Sequence, residues 1–329
     1  MAVIDVHTHM ISAAFLDRAI AEGRPHYLRT RTKAGLDVIT YDGAPYMTLT
    51  PPMFDYELRL RDMDAAGVDI AVVSVSGPTY WGSPEVSAAA IRLQNDDMAA
   101  GQAAHPKRIR FLASLPWQYP ALAVEELKRA CDRGAVGVMV LANILGRHLT
   151  DAEFAPVWRE IDRRFLPVLV HPTAPPGVKG LGFEVYNLTA AIGFMVDTTA
   201  AIARMIFDGF LDRYPHLKII AAHAGATLPY LAGRLDICFD TMPACREKIS
   251  TPPSRYLKRL WYDAVTYQQE SLALCLQVGG TDKVMYGSDY PHNIGDMTGI
   301  LARVDALPAA EREAVRGTNA ARLFAIDVA

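Results

Sequence analysis

Short apolar runs recur along the chain, and each is followed by a longer stretch of helical period. The runs are Val3–Val6, Ile70–Val75, Ile109–Leu115, Val136–Leu141, Pro167–Val170, Lys218–Ala222, Leu260–Ala264 and Lys283–Tyr286. Most are continuous in apolar character rather than alternating, as expected of strands covered on both faces. The stretches between them, near 55–66, 84–104, 120–133, 151–164, 188–213, 227–240, 268–278 and 296–305, are amphipathic at helical spacing. Strands alternating with helices are the pattern of βαβ units and a parallel sheet. Eight of each in strict alternation favours a closed (β/α)8 TIM barrel. An open, doubly wound sheet with fewer strands is the alternative.

Two segments stand outside the repeat. Residues 24–53 hold Thr30–Lys33, Val38–Tyr41 and Tyr46–Leu49 around Gly35 and Gly43, which predicts a small hairpin inserted after the first strand. Residues 173–187 are rich in Gly and Pro directly after a strand. A long irregular loop in a compact domain is usually functional, so a lid or pocket wall is expected there, with an ordinary surface excursion as the alternative. There is no Pro/Ser-rich linker and no internal repeat, and residues 1–329 are read as one domain with an insertion at about 24–53.

Composition narrows the function classes. With 33 Lys+Arg against 36 Asp+Glu and a net charge of −3, no global field draws in a polyanion, so a nucleic-acid partner is not expected. Cys131, Cys238, Cys245 and Cys275 show neither CxxC spacing nor the density of a secreted scaffold. Reduced thiols in a cytoplasmic protein are the expectation. The N-terminus has no basic region followed by an apolar one, so no signal peptide is expected. No uninterrupted apolar run reaches membrane-spanning length, so no membrane is expected either.

The chemistry concentrates at the ends of the apolar runs. The first continues Ile-Asp-Val-His7-Thr-His9, and residues i and i+2 of a strand project to the same face, so the two imidazoles converge. The fifth run ends at His171, the sixth at His223 and the eighth at Asp289. In a parallel barrel all strand C-termini open on one mouth, where active sites lie. His7, His9, His171, His223 and Asp289 thus reach one rim. Three imidazoles and a carboxylate suit a divalent metal, Zn before others, with a position left for water. His26, His105, His148 and His216 fall in loops or helix ends and are read as surface histidines. There is no Gly-X-Ser-X-Gly elbow, P-loop or Rossmann fingerprint.

The HxH, VLVHP, AHAGATLPYLAGRLD, YGSDYPHNIGD and GTNAARLFAID segments, with ELRLRDMDAAGVDIAVVS before the second strand, resemble the amidohydrolase superfamily. Within it they resemble the branch of aminocarboxymuconate-semialdehyde and γ-resorcylate decarboxylases, across essentially the whole chain. The resemblance implies one divalent metal (zinc, with manganese or magnesium as alternatives) held by His7, His9, His171 and Asp289. His223 then stays off the metal and handles protons. Binuclear members carry a bridging lysine at the end of strand 4; here that strand ends at Ala142-Asn143, implying a mononuclear site.

The implied reaction is nonoxidative decarboxylation of a small carboxylate, with His223 and Asp289 as catalytic groups. A hydrolase or hydratase acting on C–C or amide bonds is the alternative. Arg234 matches an arginine that reaches substrate carboxylate, in some members across a dimer interface; the competing reading pairs it with Asp236 or Asp240 on the surface. Met47, beside Tyr46, stands where the aminocarboxymuconate enzyme has a second arginine, which argues against a dicarboxylic substrate. His292 replaces an aromatic residue and is expected to contact a phenol or carboxylate. Tyr80, Trp81 and Phe183 are pocket walls or plain packing. A homodimer or higher homo-oligomer is expected.

Overall fold

A computed structural model describes residues 2–23, 26–33, 35–41, 44–77, 79–183 and 185–327. Eight strands form one sheet: β1 (Ile4–His9), β2 (Ile70–Ser74), β3 (Ile109–Ala113), β4 (Gly137–Leu141), β5 (Pro167–His171), β6 (Lys218–Ala221), β7 (Trp261–Asp263) and β8 (Val284–Met285). They lie in chain order, with parallel pairing between successive strands. Val6 N–H donates to Tyr286 O at 3.0 Å and His9 N–H to Tyr290 O at 2.8 Å, which joins the last strand to the first. The result is a (β/α)8 barrel. Every residue of β1, β2, β4 and β7 is buried, the apolar ones that make up most of each run and also the polar Asp5, His7, Thr8, His9, Ser74 and Asp263.

The outer helices fall where the helical period placed them: α1 (Tyr56–Ala66), α2 (Pro84–Ala104), α3 (Pro120–Asp132), α4 (Ala155–Arg163), α5 (Phe194–Phe207), α6 (Leu228–Thr241), α7 (Gln269–Gly279) and α8 (Met297–Asp305). Local chemistry sets their ends. Asp55 caps α1 through Leu58 N–H, and Gly67 closes it in the left-handed region at φ 75°. Ser83 caps α2 through Val86 N–H, with Pro84 at its first position. Short helices at Ala13–Glu22, Pro253–Leu257, Ala309–Glu313 and Asn319–Phe324 add to the repeat and had no counterpart in the expected set.

The insertion is larger than the expected hairpin. Tyr27–Arg31, Asp37–Tyr41 and Ala44–Thr48 make a three-stranded antiparallel sheet. Its first strand, Tyr-Leu-Arg-Thr-Arg, is exposed beyond Tyr27, so no buried alternation marks it, and main-chain pairing holds it in place. The Gly43 turn and residues 24–25 lie outside the described residues. Segment 173–193 is built of short turns at Val178–Leu181, Val185–Asn187 and Thr189–Gly193, leading into α5. The helical stretch Val185–Phe207 is long and apolar enough to cross a membrane by length and composition alone, although Asp197 and Arg204 interrupt its apolar sequence. In the structure it is an outer helix of the barrel, burying Asp197, Thr198, Ala201, Ile202, Met205 and Ile206.

Candidate metal centre

Three strand ends deliver the cluster. His7 and His9 leave β1 on the same side, His171 is the last residue of β5, and Asp289 follows β8. One ligand atom from each of His7, His9, His171 and Asp289 lies within 4.8 Å of the others. The rings of His7 and His9 are 5.1 Å apart, His7 and His171 5.1 Å, and His9 and His171 4.9 Å, all edge to face. Nε2 of His7 and Nε2 of His171 are buried with no hydrogen-bond partner. Leaving such atoms unsatisfied is costly in a protein interior. A divalent cation between them resolves that cost, so the residues fit the metal that the donor set suggests.

The charge state fits as well. Burial pushes His9 down to about 3 and His171 well below the usual imidazole range, keeping both neutral and able to donate lone pairs. Burial would raise Asp289, but His223, His7 and His9 hold it well below the ordinary carboxylate range. Burial would likewise lower His7, yet Asp263 and Asp289 outweigh it and push the ring up to about 10. Without a metal that rise puts a second proton on the His7 ring beside the two carboxylates; a divalent cation would take that proton's place and offset the negative charge.

Asp263, at the end of β7, organises the first ligand. Its Oδ2 lies 2.7 Å from His7 Nδ1 and accepts His223 N–H at 2.9 Å, while Oδ1 accepts Ala224 and Val265 N–H at 2.9 Å each. A proton on Nδ1 leaves Nε2 as the metal-facing lone pair. His171 is oriented the same way by its own backbone, with Nδ1 2.9 Å from Pro172 O. Beneath the cluster, Asp5 accepts Ser288 Oγ–H at 2.5 Å and Ser288 N–H at 3.1 Å, tying the Asp289 loop to β1. Fully buried Arg59 donates to Thr8 Oγ1 at 2.6 Å and to His9 O, with Tyr290 stacked 4.8 Å from its guanidinium carbon. Asp263, Asp5 and Arg59 belong to no recognisable metal-ligand motif in the sequence. A charged residue inside an otherwise apolar run was the available signal for the two aspartates.

His223 sits beside the cluster and outside the four-atom set. It follows β6 in the left-handed region, at φ 55°, with its own N–H and that of Ala224 donating to Asp263. Its Nε2 stands 3.8 Å from Asp289 Oδ2, and its Nδ1 is buried without a partner. His292 is half-buried with its ring 5.0 Å from that of His9. From the insertion, Tyr46 Oη donates to Gly77 O at 3.3 Å, and Met47 is buried with Sδ 3.7 Å from Ser76 Oγ. The insertion thus docks on the loop after β2, next to the site.

Other expected contacts lie apart from the cluster. Arg234 is exposed on α6, and among the described residues no hydrogen bond or ion pair joins it to the cluster, to Asp236 or to Asp240. Phe183 is half-buried, its ring toward Gly193 in segment 173–193. Tyr80 and Trp81 belong to the buried core, and Tyr80 Oη accepts Leu141 N–H at 3.1 Å.

A closed β/α barrel with three imidazoles and a carboxylate at its C-terminal mouth defines a metal-dependent barrel enzyme. The chain belongs to the amidohydrolase family, whose model matches residues 4–326. It is 26% identical to a 2-amino-3-carboxymuconate-6-semialdehyde decarboxylase of Dictyostelium discoideum, over 98% of this chain and 92% of that one. It is 27% identical to a γ-resorcylate decarboxylase of a Rhizobium species, over 82% and 87%. Among solved structures, 5-carboxyvanillate decarboxylase from Sphingomonas paucimobilis superposes with a TM-score of 0.86 at 26% identity, covering 99% of both chains.

Proposed function

We propose that this protein is a metal-dependent carboxy-lyase that decarboxylates a small aromatic or unsaturated carboxylic acid without oxidation. The observation that carries the reading is the placement of His223, beside Asp289 but outside the ligand set, with an unpartnered ring nitrogen. Departure of CO2 leaves an electron pair on carbon, and the reaction needs a proton delivered there. His223 is the group placed to deliver it, with Asp289 Oδ2 3.8 Å from its Nε2. A bound divalent cation would supply positive charge to hold the substrate's carboxylate and a neighbouring oxygen. Asp263 keeps His7 and the His223 turn in register throughout.

The acids named for the relatives support this substrate class, and the buried thioether of Met47 argues for one carboxylate anchor rather than two. Zinc suits a donor set of three nitrogens and one oxygen, with manganese or magnesium as the alternatives. The chain is read as one domain over residues 1–329, cytoplasmic in keeping with four free cysteines. A homodimer or higher homo-oligomer is proposed, with Tyr230 and Ile237, exposed on the same helix as Arg234, as apolar surface for the contact. Arg234 would then serve a partner's substrate rather than its own. The test is CO2 release from a panel of hydroxybenzoates and carboxymuconates by protein of known metal content. Turnover that is undiminished in metal-free protein, or cleavage of amide or C–C bonds without CO2, overturns the reading.

A further inference from the structure

Fully buried Arg59 reaches from α1 to the end of β1, and the proposed reaction gives it no part. Its hydrogen bonds go to three consecutive residues there: Nη1 donates to Thr8 Oγ1 at 2.6 Å, Nη2 to His9 O, and Nε to Met10 Sδ at 2.9 Å. The guanidinium carbon also lies 4.8 Å from the centre of the Tyr290 ring, on the residue after Asp289. Tyr290 Oη in turn donates to Asp62 Oδ2, so α1 grips the Asp289 segment a second time. Among the described residues no carboxylate forms an ion pair with Arg59, and Asp5 and Asp62 act on it only at longer range.

Thr8 turns these contacts into a relay. A guanidinium can only donate, so the Thr8 hydroxyl receives from Arg59 and gives its single proton to Tyr290 O at 3.0 Å. The same carbonyl accepts His9 N–H at 2.8 Å. Arg59 thereby ties the backbone that carries His9 to the backbone that carries Asp289. A buried cation without a counter-charge is expensive, and an apolar side chain of similar volume would fill the space at less cost. Packing of α1 on the barrel alone gives no reason for an arginine at this position. We infer that Arg59 is a positioning residue of the metal centre, which fixes the spacing of His9 and Asp289 through Thr8 and Tyr290. The inference rests on the proposed metal centre and not on the reaction performed there.

Cobalt(II) is the probe, because its visible absorption reports the arrangement of its ligands independently of turnover. Wild-type protein, Arg59→Met and Thr8→Val are titrated with cobalt against a competing chelator, with spectra recorded at saturation and urea unfolding followed for the metal-free forms. Arg59→Met should bind cobalt roughly 10- to 100-fold more weakly, the usual effect of removing a group that orients a ligand. Its saturated spectrum should also shift in position or intensity. Thr8→Val keeps the shape and the contact to His9 O, and should move both readouts in the same direction by less. A residue that merely packs α1 on the barrel would lower the urea midpoint and leave the saturated spectrum as in the wild type. That result in Arg59→Met, or in Thr8→Val where Arg59→Met does not fold, overturns the inference, as does wild-type cobalt affinity in both variants. Wild-type protein that takes up no cobalt overturns the metal centre and the inference together, whereas a failure to release CO2 bears on the proposed reaction alone.

Discussion

Asp263→Asn tests whether the end of β7 sets the metal centre. The carboxylate receives four donors, two on each oxygen: His7 Nδ1 and His223 N–H on Oδ2, Ala224 and Val265 N–H on Oδ1. An asparagine of the same shape can accept on only one side. If its NH2 takes the place of Oδ1, the two backbone donors face a third donor. At about 1–3 kcal/mol for each buried group left unpaired, the fold loses roughly 2–6 kcal/mol. If the NH2 takes the place of Oδ2, His7 must accept at Nδ1 and carry its proton on Nε2, the nitrogen aimed at the metal. Mutating such an orienting partner typically lowers metal affinity about 10- to 100-fold.

Both costs are measurable separately. Metal affinity is read by competition with a chelator, and stability by urea unfolding of the metal-free protein. A variant that keeps the wild-type metal affinity and the wild-type unfolding midpoint refutes the assigned role of Asp263.

Three other outcomes are expected. His223→Ala should retain stoichiometric metal while losing most turnover, and His171→Ala should lose the metal; loss of metal from both would place His223 among the ligands. Asp197 is buried against Asn143 Nδ2 and Thr173 N–H, with no ion pair to a cation among the described residues, and burial pushes it up to about 6. Because its folded pKa lies above the unfolded value, ionisation weakens the fold as pH rises from about 4 through 6. The wild type should therefore lose roughly 2–4 kcal/mol relative to Asp197→Asn between pH 4 and pH 7, and a flat difference in chemical denaturation refutes this. Gly225→Ala should destabilise by about 1–3 kcal/mol, since φ is +77° and a Cβ would meet Tyr262 Cε1 at 2.7 Å; an unchanged melting temperature would show that the turn relaxes.

The ligands were legible because two periodic rules coincide in them. Alternation along a strand puts His7 and His9 on one face, and parallel winding puts the ends of β5 and β8 at the same mouth, so His171 and Asp289 needed only their place in the chain. His223 obeyed the same rule, and its position off the ligand set depends on a left-handed turn that no periodicity records. The first insertion strand was expected at Thr30–Lys33 and lies at Tyr27–Arg31, because it buries little beyond Tyr27 and hydrophobic pattern is silent about strands held by main-chain pairing. Arg59 was hidden for the opposite reason. Helical spacing assigns a charged residue to solvent, whereas here the guanidinium turns inward to carbonyl, hydroxyl and aromatic partners.

Asp5 and Asp263 show what a strand rule can yet recover. Both interrupt otherwise apolar runs, and a carboxylate buried between two covered faces is costly unless several donors meet it. The sequence context therefore requires such donors nearby, and the strand ends opposite are where backbone N–H groups are free of the sheet ladder. Asp5 finds Ser288, and Asp263 finds the turn that carries His223. A charged residue inside a continuous apolar strand of a parallel barrel is thus a sign that a neighbouring loop is being held, and in this chain both held loops carry a residue of the metal centre. Shape-preserving amides at the two positions separate charge from packing. Asp263→Asn should disturb His7 and the His223 turn, whereas Asp5→Asn should disturb Asp289, so only the second should leave His7's ring tautomer unchanged in 15N spectra. The same tautomer change in both variants would show that the two carboxylates act through general destabilisation of the barrel mouth and not through the loops they bind.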